Sequence, residues 1–429
     1  MYITTRYIKN KLWALICILG LFFCRYEVWF IYMPATMLRT LQLFGFGVLC
    51  LLFVNQRLHV YKNIGSIITF SICFGIYSLF ISFSLLHFEQ GTAMFRIVIG
   101  ILLFLGIYVC IIKKISQIES DLQIGRLLDY WLYTSILQII ISCIFFVNHS
   151  FYDYVISILN LPEITAERND LINIRIMGLG NAFFGAGFNY GIDILVMALL
   201  PYVQGSIMYK NKFIYWLVTI AILCVGILSA RTFLIGAFCA LSFIVYNERK
   251  HLVDLVTALF KFLLVILIAV PVVSFLLVKY IDNFESILSW AFEIFINISS
   301  GNGLETGSSN KMFDMYNFPE DIFTWLRGDG IIELEDGTYY MHTDIGFIRL
   351  IFFWGLPATI LFYIYRYYCI RTIYCSSNIF VLKSFAICYL AFEYICNLKG
   401  LVFGDSFIAF LLVYIVYFEK RKYTLKHGK

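Results

Sequence analysis

The feature that most limits the fold is a series of long uncharged runs. Residues 130–147 read YWLYTSILQIIISCIFFV and residues 213–230 read FIYWLVTIAILCVGILSA, each without an Asp, Glu, Lys or Arg. A stretch of 18 or more apolar residues is long enough to cross the hydrocarbon of a bilayer as a helix. Only 14% of the chain is charged and 61% is hydrophobic, whereas a soluble domain carries roughly 25% charged residues. The chain therefore reads as an all-α, polytopic integral membrane protein, a single transmembrane domain over residues 1–429.

Hydropathy divides it into about twelve transmembrane helices. They are expected near 12–32, 36–54, 64–86, 94–115, 127–147, 188–208, 212–229, 231–247, 252–278, 343–365, 378–397 and 401–419. No small-residue cleavage site follows the first run, which reads as a retained span interrupted by Arg25 and Glu27. Lys and Arg fall in alternate connections: Arg6, Lys9 and Lys11; Arg57 and Lys62; Lys113, Lys114 and Arg126; Lys210 and Lys212; Arg249 and Lys250; Arg366 and Arg371; then the basic tail. By the positive-inside rule these connections and both termini are expected in the cytoplasm. The same bias accounts for the +5 net charge, so the charge implies no nucleic-acid partner.

Two long loops then fall on the outer side, residues 148–187 and 279–342. Loops of this length are functional or disordered more often than idle. The second contains GDGIIELEDGTYYMH, in which two β-prone runs flank Asp336-Gly337, a hairpin signal. A hairpin there would deliver His342 to the membrane surface. The twelve cysteines show no CxxC or Cys/His spacing, so they read as small buried hydrophobes, with neither a disulfide framework nor a metal expected.

Several polar residues stand out against this background. Arg231, in SARTFLIG, occupies a tight outer turn at a helix start, where a cation opposes the helix dipole. It is either an interfacial snorkelling residue or a cation awaiting an anionic ligand. Arg175 opens RIMGLGNAFFGAGFNYG, which contains Gly178, Gly180, Gly185, Gly187 and Gly191. Exposed amides in such a run can cradle phosphate oxygens, while Gly187 and Gly191 also form a GxxxG that suits helix packing. Arg168 reads as a solvated loop charge. In HTDIGFIRLIFFWGL, Thr343 suits a helix cap and Asp344 the first turn. His342, Gly346, Arg349 and Phe353 recur at helical spacing, with Gly346 as a notch between histidine and arginine. Arg349 lies two turns into an apolar helix and should face protein or water. Arg327, in WLRGDG, is a further cation near the same mouth. Asp193, Glu393 and Asp405 are intramembrane acids, with Lys399 a candidate partner for Asp405. Glu333, Glu335 and Asp336 read as a solvated hairpin face before a divalent-cation site.

In RIMGLGNAFFGAGF, SARTFLIG, LRGDG and HTDIGFIRLIFFWGL, and in its large outer loop, the chain resembles the O-antigen polymerase and O-antigen ligase superfamily of bacterial inner-membrane glycosyltransferases. The resemblance implies a glycan donor carried on undecaprenyl diphosphate and transfer outside the cytoplasmic membrane, without a metal or cofactor. It implies that Arg175 and Arg231 contact the donor diphosphate and that the loop carrying Arg327 and His342 binds and activates sugar. Guanidinium groups suit diphosphate oxygens because they offer charge-assisted, often bidentate hydrogen bonds.

The expected function is that of an O-antigen or capsule repeat-unit polymerase. Arg231 and Arg175 would stabilise the leaving diphosphate, His342 would bind the acceptor or serve as base, Asp344 would orient it, and Arg349 would line the cavity. The implied partners are the lipid-linked oligosaccharide, the bilayer and a chain-length-regulating protein. A ligase joining glycan to lipid A core is the related alternative. A lipid-linked oligosaccharide flippase or other transporter is the rival from another class, although the missing internal repeat counts against it.

Overall fold

In lipid, a backbone must satisfy its own hydrogen bonds, so apolar runs become helices. The computed structural model describes residues 2–26, 62–119, 121–158, 178–179, 183–249, 293–301, 307–334, 338–377 and 379–415, with a few isolated positions besides. In chain order the helices are α1 (Tyr2–Tyr26), α2 (Lys62–Ser84), α3 (Phe88–Ile118), α4 (Ile124–Val147), α5 (His149–Ile158), α6 (Phe183–Leu199), α7 (Ile207–Lys210), α8 (Lys212–Ser229) and α9 (Phe233–Glu248). They continue with α10 (Glu293–Ser299), α11 (Gly307–Asp314), α12 (Ile322–Arg327), α13 (Gly346–Trp354), α14 (Leu356–Ser376), α15 (Phe380–Asn397) and α16 (Asp405–Leu412). No strand occurs among the described residues beyond one antiparallel bridge, Glu333 to Tyr339. Six described helices are long and apolar enough to cross a membrane: α2, α3, α4, α6 with the turn after it, α8 and α15. The chain is thus an all-α, membrane-embedded protein. The expected spans at 36–54 and most of 252–278 lie outside the described residues.

The helices form two units. One comprises Met1–Met37 with Ile111–Thr306, the other Leu38–Cys110 with Gly307–Lys429. In the first, α6 crosses α9 at close range because glycine allows it. A Cβ on Gly236 would lie 2.4 Å from the Gly191 Cα, and one on Gly187 would lie 2.7 Å from the Ala230 Cβ. The GxxxG of α6 therefore packs helices. The same unit is locked by Arg25. Its guanidinium donates to Asp193 Oδ1 at 2.6 Å, to Ser135 Oγ at 2.6 Å, to Thr134 Oγ1 at 3.1 Å and to the Asn189 carbonyl at 3.1 Å. Trp131 lies under that guanidinium at 4.5 Å and donates its Nε1 to Asp193. Arg25, in the last turn of the described helix, ties α1 to α4 and α6.

The second unit has an equivalent lock. Arg366 on α14 grips Glu393 on α15 with Nε and Nη2, both at 2.8 Å, and holds Asp405 at the start of α16 with Nη1. Two expectations are corrected here. Asp405 takes Arg366 as its ion-pair partner, where Lys399 was expected, and Arg366 is a buried helix residue, not a cytoplasmic loop charge. The expected span 343–365 is also two helices. Gly355, with φ +80°, breaks the chain between α13 and α14, and α14 runs on to Ser376. Ser71 on α2 is hydrogen-bonded to the Tyr365 hydroxyl at 2.5 Å, and Trp354 Nε1 donates to Ser78 Oγ at 3.0 Å, so α14 docks against α2. Both segments expected as long outer loops contain helices, α5 in one and α10 to α12 in the other.

Removing one partner of a buried ion pair leaves the other charge uncompensated, at a cost of about 3–5 kcal/mol, while replacing both with apolar residues is often neutral. Arg25→Ala should therefore lower the thermal unfolding midpoint in detergent sharply. The pair Arg25→Met with Asp193→Leu should recover most of that loss. A single variant as stable as the parent would show that the pair does not lock the unit.

Candidate functional site

The segment after α12 in the second unit meets α13 and α14 through backbone contacts that only glycine permits. Asp321 caps α12, its carboxylate accepting from the Phe323 and Thr324 amides. Gly328 follows with φ +74°, and a Cβ there would sit 2.4 Å from the Phe353 carbonyl oxygen. Gly355 is placed reciprocally, its Cβ position 2.5 Å from the Leu326 carbonyl oxygen. The Asp329 amide donates to the Phe352 carbonyl at 2.6 Å and the Gly330 amide to Phe353 at 3.3 Å, which satisfies carbonyls at the end of α13 that have no partner within the helix. The patches LRGDG and FFWGL are thus two halves of one clasp. Asp329 completes it, accepting from Thr324 Oγ1 at 2.8 Å and from the Tyr340 hydroxyl at 3.2 Å. Burial first, and then the Asp329 carboxylate, push the Tyr340 phenol above its ordinary range, so it stays a proton donor.

Against this clasp stands Arg349, buried on α13 with 7% of its surface exposed. The Tyr339 ring covers its guanidinium at 4.1 Å. Glu333 faces it at 3.2 Å and Asp344 at 3.8 Å, and both acids remain half open to solvent. Its Nε has no hydrogen-bond partner among the described residues. The expected hairpin is represented by the Glu333–Tyr339 bridge, with the Leu334 amide donating to Thr338 at 2.8 Å and the Tyr340 amide to Ile332 at 2.9 Å; its turn, 335–337, lies outside the described residues. Glu333, expected on a solvated face, is 48% exposed at its side chain, and its carboxylate also reaches Arg349, because the bridge turns that residue toward α13.

His342 lies on the same loop but not on the helix. It ends a tight turn in which Met341 and His342 both have positive φ, +53° and +54°. Such backbone costs about 1–3 kcal/mol per residue and persists only where its surroundings impose it. Here Asn317 Nδ2 holds the Met341 carbonyl at 3.2 Å and the His342 amide donates to Tyr339 at 2.9 Å. The imidazole is exposed. Three expectations change accordingly. The shared helical face of His342, Gly346, Arg349 and Phe353 does not form, since α13 begins only at Gly346. Thr343 is not its cap; Ile345 holds that position and donates its amide to Thr343 Oγ1 at 3.3 Å. Gly346 is no open notch, because a Cβ there would meet the Gly400 carbonyl at 2.7 Å.

The structure brings together Arg349, Asp344 and the His342 turn. Arg327 ends α12, exposed, with its guanidinium 6.0 Å from the Phe323 ring. Arg231 belongs to the other unit, where it is buried in the turn between α8 and α9 and pairs with Glu293 on α10. Arg175 and Arg168 lie outside the described residues. Of their loop, Leu179 is fixed, its carbonyl accepting from Gln138 Nε2 at 2.9 Å. Sequence reasoning missed Tyr339, Tyr340 and Asp329 as parts of the site. The signal was the bridge register, which turns Glu333 and Tyr339 to one side. Among the described residues, no group of three His, Cys, Asp or Glu is placed to hold a metal.

These features define a membrane-embedded helical protein with a cationic centre where the segment after α12 clasps α13 and α14. No family model, curated protein or solved structure matches the chain.

Gly328→Ala should force both a strained φ and a collision with the Phe353 carbonyl. Its effect should be local: faster hydrogen exchange at the Asp329 amide, with exchange in α15 unchanged. Unaltered exchange at Asp329 would show that the clasp does not depend on this glycine.

Proposed function

We propose that the chain is a repeat-unit polymerase of O-antigen or capsule type, working on undecaprenyl-diphosphate-linked glycan at the outer side of a bacterial cytoplasmic membrane. The observation that carries this reading is Arg349. A guanidinium buried at the membrane end of an outer loop, stacked on tyrosine and faced only by half-exposed acids, can exchange those acids for diphosphate oxygens. The bond between the anomeric carbon and the diphosphate oxygen breaks, and the acceptor hydroxyl oxygen bonds to that carbon. Undecaprenyl diphosphate leaves with the negative charge that the fixed guanidinium stabilises without solvent reorganisation. The acceptor proton passes to the exposed His342 imidazole, with Asp344 beside the cation to balance charge. Arg327 serves in this reading as a contact at the loop.

One observation favours a transporter instead. Arg25 with Asp193, and Arg366 with Glu393 and Asp405, are buried ionised groups of the kind that mark ion pathways in membrane proteins. Purified protein separates the two readings. Supplied with lipid-linked repeat units in detergent, a polymerase builds a glycan ladder and Arg349→Ala reduces it about a hundredfold. His342→Ala should weaken it as well at normal protein levels. A transporter yields no ladder in detergent, yet moves the lipid-linked unit across a vesicle bilayer. Full activity in both variants would exclude the proposed site.

A further inference from the structure

Residues 279–342 were expected to form a long outer loop, and within them α12 carries a face unsuited to water. Ile322, Phe323 and Leu326 are exposed by 62%, 61% and 59%. The opposite face is committed to the fold. Thr324 is hydrogen-bonded to Asp329, and Trp325 donates its Nε1 to the Pro319 carbonyl at 2.7 Å while stacking on Phe318 at 6.0 Å. The exposed face is therefore fixed outward by the clasp. Contiguous exposed apolar surface of this kind marks an interaction site.

What covers it follows from its neighbours. The Leu326 carbonyl packs on Gly355, where α14 begins, and α14 continues with exposed Leu356, Ile360, Leu361 and Ile364. On α2, a helix long and apolar enough to cross a membrane, Ile76, Phe80 and Phe83 are likewise exposed. The clasp meets the last turn of α2: a Cβ on Gly330 would lie 3.2 Å from a Leu85 methyl, 3.4 Å from an Ile81 methyl and 3.7 Å from the Ser82 Cα. Phe80 and Phe83, exposed beside that contact, put the clasp at the level of residues that face lipid. Arg327 completes the pattern, a cation one residue beyond the apolar face. That is the arrangement in which a long side chain covers apolar surface and lifts its charge to the headgroups.

We infer that α12 is a re-entrant interfacial helix. Its Ile322–Phe323–Leu326 face lies in the acyl chains of the outer leaflet, and Arg327 lies at the phospholipid headgroups. The inference stands apart from the proposed polymerase reaction, since it needs only a membrane.

The test uses the full chain in its native membrane, with a photo-crosslinking benzoylphenylalanine placed at Phe323, at Leu326 or at Phe80. After irradiation, Phe80 reports lipid contact on α2. The expected result at 323 and 326 is the same as at 80, a mass shift of one phospholipid on the peptide carrying the probe. Two results would overturn the inference. One is no lipid adduct at 323 and 326 while 80 gives one. The other is a crosslink from 323 and 326 to protein, either a second copy of the chain or another polypeptide.

Discussion

A charge within an apolar bundle must be matched, since neither water nor salt is there to screen it. This constraint sorts the arginines. Arg25 and Arg366 are surrounded by acids, and Arg25 also by hydroxyls, of their own unit. The acids they pair with are at most 13% exposed, so these hydrogen bonds hold helices together. Arg349 is also buried, but its acids are 48% and 41% exposed. Its partners can turn to water without stranding a charge in hydrocarbon. A cation so placed is stable in the resting protein and remains available to another anion.

The loop around Arg349 is rigid for a different reason. Gly328 and Gly355 let two backbones meet where any side chain would collide, and the Asp329 and Gly330 amides close the end of α13. The bend at Gly355 divides what hydropathy presents as one span and makes room for α12 alongside. Tyr339 and Glu333 reach Arg349 only because that clasp and the short bridge set their positions. Two of the patches that resembled a glycosyltransferase superfamily, LRGDG and FFWGL, therefore have a structural role as the clasp, whatever chemistry takes place beside them.

Hydropathy located α2, α4, α8, α9 and α15 to within three residues, because burial in lipid leaves the backbone little choice, but it placed the start of α1 ten residues late and did not indicate the short helices α5, α7 and α10 to α12. It located α4 and α8 especially well. The break at Gly355 was marked, by a glycine with Pro357 two residues on in the first turn of α14, but the runs on either side are both apolar and hydropathy read them as one span. The ion pairs were hidden because their partners are distant along the chain: 168 residues separate Arg25 from Asp193, and 39 separate Arg366 from Asp405. Arg25 looked like an interruption and Arg366 like a loop charge, since neither residue carries its partner with it in sequence. Arg349 was legible, because a cation two turns into an apolar run must face something polar. His342 was placed on the wrong element, as helical spacing says nothing of where a helix begins.

The central claim is that Arg349 can release its acids to an incoming diphosphate. It is tested most directly by the binding of farnesyl diphosphate, a short polyprenyl diphosphate, to purified protein, followed as a shift in thermal unfolding. Glu333→Gln removes a competing anion and should bind the probe at least as tightly as the parent. Arg349→Ala should lose the shift. Equal binding by the parent and both variants would contradict the claim.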